Sequence, residues 1–434
     1  MNEETKKPGQ KLGFFMSVAL VMGNMIGSGV FLLPQGLAPY GWNAIAGWVV
    51  TIAGALCLAH VLAKLTASHA GAIGPAELVE RSFGPLAGFL IGFAFWVSVW
   101  TGCVTIAVGA TSYMSSFLPI LGDHPALAAL GIIWAMTGVN LLGVRSAGSF
   151  QLITTVLKLT PLIVVAVLIG LILSREGIAA LAPFPAEGLS LPSVNAAAAL
   201  TLWAMIGFEA ACAASHKIDN PQRNVPRATF YGALLSGIIY LVVCSGITLM
   251  LPADKVAASN APFELFVATF LSPGPASLVA AFAAISAIGA VNGWTLVQAE
   301  LPLEMAKRNM MPIWFAHISA NGVPINGLLT STVLGSLLVL ANSSQSMAGL
   351  FTFMALLTTS VTLWLYLACA AVALKHRIAV PFALLGLVFG VWSLWGAGIE
   401  ASGWSIVLMF AGLPLYWWTR RKILPTSDRS ASTS

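Results

Sequence analysis

Long apolar runs alternate with short polar stretches along almost the whole chain. A window of bilayer length finds about twelve such runs, separated by segments rich in Gly, Pro, Asn and Ser. Each run is long enough for an α-helix, which satisfies its backbone hydrogen bonds internally as lipid requires. The pattern predicts an all-α integral membrane protein with twelve transmembrane helices, at residues 12–38, 42–67, 85–118, 125–144, 148–174, 192–215, 226–251, 274–305, 326–342, 348–374, 379–397 and 401–419.

The composition agrees with this class. The chain has 434 residues, of which 58% are hydrophobic and 8% charged, and its mean hydropathy is +0.89. A soluble domain would carry about 25% charged residues. No segment between the spans is large enough for a separate soluble domain, and only the tails, 1–11 and 420–434, are polar. The first apolar run is too long for a cleavable signal peptide and lacks its small-residue cleavage pattern.

The basic residues predict the orientation. If the N-terminus is cytoplasmic, every one of the 20 Lys and Arg residues falls on the cytoplasmic side except Arg175, Lys255 and Lys158. The positive-inside rule is then obeyed at nearly every loop. We therefore expect a multi-pass protein of the bacterial inner membrane with both tails cytoplasmic. The pI near 9.0 reports this topology, and we expect the lipid bilayer as a partner but no nucleic acid.

Two spans contain residues that disfavour a continuous helix. In "MGNMIGSGVFLLP", residues 22–34, the centre of the span holds Gly27, Ser28 and Gly29, which are poor helix formers. In "TLWAMIGFEAA", residues 201–211, Gly207 lies mid-span two residues before Glu209. The odd number of spans between the two sites implies opposite orientations in the membrane. This predicts two inverted five-helix repeats, 12–174 and 192–374, followed by two helices within 379–419.

Breaks of this kind can bind both ends of an α-amino acid. Free N–H groups and the dipole at the start of the second half-helix favour a carboxylate. Carbonyl groups freed near Met25, and from Trp203 to Ile206, suit an ammonium group or a sodium ion. The alternative is that the glycines serve only close helix packing.

The sequence offers no support for metal or nucleotide chemistry. Its cysteines are odd in number and all lie within predicted spans, where packing is their expected role. Metal-binding and phosphate-binding motifs are absent from the sequence. We therefore expect no metal, no cofactor and no enzymatic activity.

Three motifs resemble the amino acid–polyamine–organocation (APC) superfamily. They are "GNMIGSGVFLLP" in the first span, "TLWAMIGFEA" in the sixth, and "NPQRNVPRA", residues 220–228, before the seventh. The resemblance covers essentially the whole chain and is strongest to the basic amino acid/polyamine antiporter branch, in particular to arginine/agmatine antiporters. It implies a LeuT-like fold with broken helices 1 and 6. It also implies secondary active amino acid/amine antiport of the arginine/agmatine type by alternating access.

The resemblance also implies roles for individual residues. Ser28 and Gly29 would bind the substrate carboxylate through backbone N–H groups, and Met25, Trp203 and Ile206 would offer carbonyls to the α-ammonium. Trp203 would cover the substrate as a gate, and Trp294 would stack on its side chain. Further substrate-binding positions fall on Phe95, Cys103, Ile106, Leu356 and Trp364. At these last five positions the site has lost polar partners that arginine exchangers have, so a smaller or less polar substrate is an alternative to arginine.

Two ionisable residues deep in spans are predicted coupling residues. Glu209 matches a proton-sensing glutamate of the branch, although a hydrogen bond that only holds the broken helix is an alternative. Lys158 resembles a helix-five lysine whose ammonium replaces sodium in sodium-independent amino acid transporters. For His60, packing is as reasonable as a proton relay. For Glu300, near a helix end, pairing with Lys307 or Arg308 is expected.

Two other functions stay open. A proton-coupled symporter of neutral amino acids is favoured by Lys158 and by the apolar side-chain end of the site. A non-transporting membrane sensor is the other class, but a sensor is expected to carry an added signalling domain or a long tail. A homodimer is a further partner that the branch resemblance allows.

Overall fold

Helices make up nearly all of the described backbone. The computed structural model describes residues 11–27, 29–68, 74–143 and 157–423. Within these residues, extended structure is limited to one isolated bridge between Leu12 and Ile218. The helices of the first half are α1 (Phe14–Met25), α2 (Gly29–Leu37), α3 (Trp42–Ser68), α4 (Pro75–Phe83), α5 (Pro85–Met114), α6 (Ile120–Asp123), α7 (Pro125–Leu141) and α8 (Leu159–Glu176).

The second half is built in the same way. Its helices are α9 (Leu191–Met205), α10 (Ala210–Ala213), α11 (Pro221–Met250), α12 (Ala253–Ala258), α13 (Pro262–Phe270), α14 (Pro273–Lys307), α15 (Ile325–Ala341), α16 (Met347–Lys375), α17 (Val380–Gly396), α18 (Gly398–Phe410) and α19 (Leu413–Ile423). Several begin with proline at the first helical position, where its missing N–H would have no partner anyway.

The helices are long enough for a multi-pass membrane protein. In the described residues, eight helical stretches are long and apolar enough to cross a bilayer, and the bent pair α1–α2 makes nine. Three further apolar helices, α7, α15 and α17, have 17 residues each. That length is the lower limit for a span. The all-helical membrane class is therefore established, and the count of twelve spans stays a prediction.

The helix boundaries differ from the predicted spans at several points. The third predicted span ends at Met114 and not at residue 118, and the last is divided into α18 and α19. The predicted fifth span begins outside the described residues. Four short helices, α4, α6, α12 and α13, lie in segments that were predicted only as connections.

The centre of the molecule is formed by α5. In the most apolar 18-residue segment of α5, 89% is buried inside the protein. The buried share is 22% in the segments that contain α8 and α18, which therefore face outward. Helix α5 packs against α14 and α16, and α3 packs against α9 and α11. Between α3 and α9, the Thr51 hydroxyl lies 2.8 Å from that of Thr201 and 3.0 Å from the carbonyl of Ala198. Such interhelical hydrogen bonds stabilise packing in lipid and fix the position of α9.

Candidate functional site

Both helices that were predicted to be broken are interrupted in the structure. Helix α1 ends at Met25 and α2 begins at Gly29, with a bend of 50° between them. Helix α9 ends at Met205, and the short helix α10 begins at Ala210. The two breaks are in contact, because the side-chain amide of Asn24 donates to the carbonyl of Gly207 at 3.0 Å.

The second break depends on a glycine. Gly207 has φ +113°, in the region that L-residues with a side chain rarely adopt. A Cβ at this position would also lie 2.9 Å from the side-chain nitrogen of Asn24 and 3.2 Å from its carbonyl oxygen. Backbone conformation and close approach thus both require the absence of a side chain.

A small cavity lies between the two breaks. Its volume is about 20 Å³, enough for about one water molecule. It is lined by Asn24, Met25, Gly27, Gly29, Ile106, Trp203, Ala204, Ile206 and Trp294. The predicted site residues among them are Met25, Gly29, Ile106, Trp203, Ile206 and Trp294. These residues, from five different helices and the second break, therefore come together at one place.

Trp203 lies against the start of α2. A Cβ at Gly29 would be 2.8 Å from the indole nitrogen of Trp203, so the ring touches the backbone at the helix N-terminus. Trp203 is 4% exposed, and its indole N–H finds no hydrogen-bond acceptor among the described residues. The indole ring therefore packs directly against Gly29, the first residue of α2.

The backbone carbonyls at the breaks already accept several hydrogen bonds. The carbonyl of Trp203 accepts from the N–H of Ile206 at 3.3 Å. The carbonyl of Gly207 accepts from Asn24 and also from the N–H of Ala210 at 3.2 Å. A carbonyl oxygen has two lone pairs, so the carbonyl of Trp203 can still accept a second donor.

Not every predicted site residue lines this cavity. Cys103 is buried within hydrogen-bonding reach of Thr295, and Trp364 donates its indole N–H to Ser405 at 3.0 Å. Leu356 packs against a cluster formed by Ala199, Ala397 and Ala401, and Phe95 packs against the main core. In the described part of the chain, these four residues are therefore not cavity walls. Ser28 lies outside the described residues.

Glu209 connects the second break to α16. Its Oε2 atom accepts from the N–H of Gly207 at 3.1 Å and from the hydroxyl of Tyr366 at 2.9 Å. Phe208 stacks on the Tyr366 ring with a centroid distance of 4.8 Å. The carboxyl group thus stabilises the unwound segment, as the structural alternative expects, and a proton-coupling role remains a prediction.

Lys158 connects the first broken helix to α8. Its Nζ atom donates to the carbonyl of Gly23, near the end of α1, at 3.2 Å, and the residue is 3% exposed. No carboxylate lies within 4 Å of this ammonium group among the described residues. The buried charge is therefore held by a backbone carbonyl of α1.

Asn24 and Tyr366 belong to the site but were not predicted. Asn24 joins the two breaks, and Tyr366 holds Glu209. A signal for Asn24 was present, because an amide in an apolar run directly before a break needs a partner. Tyr366 gave no comparable signal, since tyrosine also occurs as a packing residue in spans.

The remaining ionisable residues have other partners. The ring of His60 lies 4.4 Å from that of Phe382, which supports packing. The expected pairing of Glu300 is corrected: Lys307 forms its ion pair with Glu304 at 2.7 Å, one helical turn nearer. The ion pairs of the second expected partner, Arg308, are with carboxylates of α4. No group of three His, Cys, Asp or Glu residues suited to a metal ion occurs in the described ranges.

Comparison with known proteins places this site in a family. The family model described as amino acid permease matches residues 12–422. The chain is 32% identical to the cadaverine/lysine antiporter of Escherichia coli over 415 residues, 92% of this chain and 93% of that protein.

Two polyamine transporters are similar over the same length. The putrescine transporter PotE of Escherichia coli is 29% identical over 419 residues, 94% of this chain and 95% of that protein. PotE of Haemophilus influenzae is 28% identical over 419 residues, 94% of this chain and 96% of that protein. The chain therefore belongs to the amino acid permease family of the APC superfamily, in its basic amino acid/polyamine antiporter branch.

Proposed function

We propose that this protein exchanges amino acids across the membrane by alternating access. The observation that carries the proposal is the contact between two helix breaks that line one cavity, joined by Asn24 and Gly207. In transporters with inverted repeats, discontinuous helices form the substrate site near the midplane. The eight long helical stretches, the bent pair and the three short apolar helices are compatible with twelve spans and two five-helix repeats.

The substrate carboxylate would bind at the N-terminus of α2, beginning at Gly29. Helix N-termini attract anions through free N–H groups and the helix dipole. The α-ammonium would bind the carbonyls at the ends of α1 and α9, around Met25 and from Trp203 to Ile206. This arrangement recognises the two groups that all α-amino acids share.

Trp203 would act as a gate over this position. A cavity of about 20 Å³ is too small for any α-amino acid, and the indole ring lies against Gly29. Substrate entry therefore requires the ring to move away from the α2 N-terminus. Its unpaired indole N–H could then donate to an oxygen of the substrate.

The side-chain end of the cavity favours a small or apolar substrate. Ile106, Ala204 and Trp294 form this end, and no carboxylate lines the cavity in the described part of the chain. A guanidinium or a second ammonium buried there would lack a charged acceptor, which is costly. We therefore propose a neutral α-amino acid as the preferred substrate and place arginine/agmatine exchange second. Because the relatives are named for cadaverine, lysine and putrescine, amines are also included among the compounds tested below.

Proton-coupled symport of a neutral amino acid is the second candidate mechanism. The ammonium of Lys158 beside the Gly23 carbonyl favours it, because a protein cation at that position could replace a coupling sodium ion. In symport, a pH gradient alone would drive uptake into empty vesicles. In exchange, uptake would need substrate inside.

A loading experiment separates these candidates. Proteoliposomes are preloaded with single neutral amino acids, arginine, lysine, agmatine, cadaverine or putrescine, and uptake of each labelled compound is measured with and without a pH gradient. We expect uptake of neutral amino acids that depends on internal substrate. Uptake by empty vesicles under a gradient would support symport, and exchange confined to arginine and agmatine would overturn the substrate proposal. Absence of all transport would favour the sensor class.

A further inference from the structure

A large apolar cavity lies on the far side of α5 from the breaks. We call it the apolar groove. It lies between α5, the segment after α14, α15 and the C-terminal helices, and its volume is about 680 Å³. Its walls include Trp96, Trp100, Leu334, Leu408 and Trp418. It shares no wall residue with the small cavity at the breaks, so the groove and that cavity are separate.

A second cavity of about 260 Å³, the basic cavity, lies between α4, the end of α14 and α19. Its walls include Glu80, Arg308, Asn309, Tyr416 and Arg420. The two cavities together thus combine an apolar channel with a polar end that carries arginines.

The two cavities are neighbours. After α14, Met310 lines the basic cavity and Pro312, two residues later, lines the groove. Along α19, Tyr416 lines the basic cavity, whereas the preceding residue, Leu415, lines the groove.

Ring contacts along α5 link the same two cavities. The ring centroid of Phe89 is 5.0 Å from that of Tyr416 and 5.7 Å from that of Phe93, which lines the groove. Phe89 is itself buried, so packed rings inside the protein connect a wall of the basic cavity with a wall of the groove.

The polar end has a surplus of positive charge. Arg308 pairs with Glu80 at 3.0 Å and with Glu77 at 3.5 Å, and Glu77 also pairs with Arg81. The guanidinium of Arg420 lies 5.2 Å from the Tyr416 ring centroid and has no ion pair in the described ranges. Since guanidinium groups suit phosphate geometry, Arg420 can bind a phosphate without breaking another pair.

We propose that the groove and the basic cavity together bind one anionic phospholipid, with its phosphate at Arg420 and an acyl chain in the groove. The groove follows α15 from Thr330 to Leu338, about 12 Å at 1.5 Å per residue, so it matches an acyl chain running into the bilayer. Basic pockets between membrane helices are known to bind anionic head groups. A soluble anion would use only the basic cavity, and a second protein copy would not need the phosphate-binding end.

Native mass spectrometry of the purified full-length chain tests the head-group site. Phosphatidylglycerol or phosphatidylcholine with identical acyl chains is added, and the retained lipid is measured. We expect phosphatidylglycerol to be retained about fivefold better, and Arg420→Gln to remove that difference, as for one arginine at a membrane surface. Arg421→Gln is the matched control, because this neighbouring arginine is exposed and does not line the basic cavity.

A second pair of variants tests the groove. Leu337 is 58% exposed and lines the groove, whereas Leu340, on the same helix, is 48% exposed and does not. Leu337→Trp should lower retention of both lipids severalfold, and Leu340→Trp should leave it unchanged. Equal retention of both lipids by the parent protein would overturn the proposal. So would equal losses in Arg420→Gln and Arg421→Gln, displacement of the lipid by inorganic phosphate, or a change of oligomeric mass alone in Leu337→Trp.

Discussion

At the residue scale, Gly27 within the first break and Gly29 at the start of α2 form a matched pair. A Cβ at Gly29 would lie 2.8 Å from the Trp203 indole, whereas one at Gly27 would lie 3.6 Å from the Cβ of Ala290, an ordinary contact. An overpacked contact such as the one at Gly29 costs enough free energy to change an equilibrium constant about tenfold or more. We expect Gly29→Ala to lower the rate of amino acid exchange about tenfold, and Gly27→Ala to leave it within about twofold.

The comparison is made in proteoliposomes with equal amounts of folded protein, checked by size-exclusion chromatography. If both alanine variants exchange at the parent rate, the start of α2 does not approach the substrate. If Gly27→Ala is the more damaging, the close approach of Trp203 to Gly29 does not set the rate of exchange.

Glu209 gives the second prediction at this scale. In Glu209→Gln the amide oxygen can still accept from Gly207 and Tyr366, so the break should keep its conformation, but the titratable proton is lost. We expect the pH dependence of exchange to become flat while the protein stays folded. Tyr366→Phe is the control, since it removes one donor and keeps the carboxyl group, and its exchange should remain pH-dependent. If the pH dependence of exchange in Glu209→Gln parallels that of the parent protein, Glu209 has only a structural role.

Individual positions were predicted unevenly from the sequence. Glycines at the breaks were found because their conformational effect is local. The side-chain directions of Leu356 and Trp364 were not, because α16 is apolar all round and its periodicity does not tell which face meets the site. Trp364 in fact donates to Ser405 on α18.

At the element scale, Lys158 holds α1 against α8 through the Gly23 carbonyl. The free energy of a hydrogen bond from a charged donor corresponds to a change of about tenfold in an equilibrium constant. Lys158→Ala should therefore lower exchange about tenfold, while substrate affinity changes less than about twofold, because the proposed substrate contacts lie elsewhere. Exchange should also proceed in sodium-free buffer if, as we propose, the ammonium beside the Gly23 carbonyl takes the place of a sodium ion.

Exchange and binding are measured on the same preparation, with and without sodium and with and without a pH gradient. We expect gradient-independent exchange, in which the lysine remains a fixed charge. Strict sodium dependence would contradict the role of this ammonium group, and an equal loss of binding and exchange would place Lys158 in the substrate site.

The elements themselves were largely predictable, because bilayer-length apolar runs permit few structures other than helices. The short helices between them were not. Helix α4, between Gly74 and Gly84, was predicted only as a connection because it is short and polar. Its sequence does carry helix signals, with proline at the first position, Glu77 in the first turn and Arg81 in the last turn. The ion pairs of Glu77 and Glu80 with Arg308 come from the tertiary structure and could not be read from the local sequence.

At the scale of the whole molecule, the distribution of Lys and Arg predicts that both tails face the cytoplasm. Glu187, in the loop before α9, and Gln222, in the first turn of α11, are both exposed, and this topology assigns them to opposite sides. With Cys57 replaced by serine, a membrane-impermeant thiol reagent added to intact cells should label Glu187→Cys and not Gln222→Cys. Labelling of Gln222→Cys should require opened cells. The reverse labelling pattern would contradict the prediction and show that the protein has the opposite orientation in the membrane.

The narrow space between the breaks has an electrical consequence. Among the described residues, the cavity at this point has room for about one water molecule and none for a hydrated ion. If substrate crosses the membrane at this point, as we propose, the unloaded carrier in this form would conduct no hydrated ions here and would not dissipate the membrane potential. One-for-one exchange would then depend on Trp203 as much as on the groups that bind the amino acid, because the ring that is proposed to move for entry also narrows the space between the breaks.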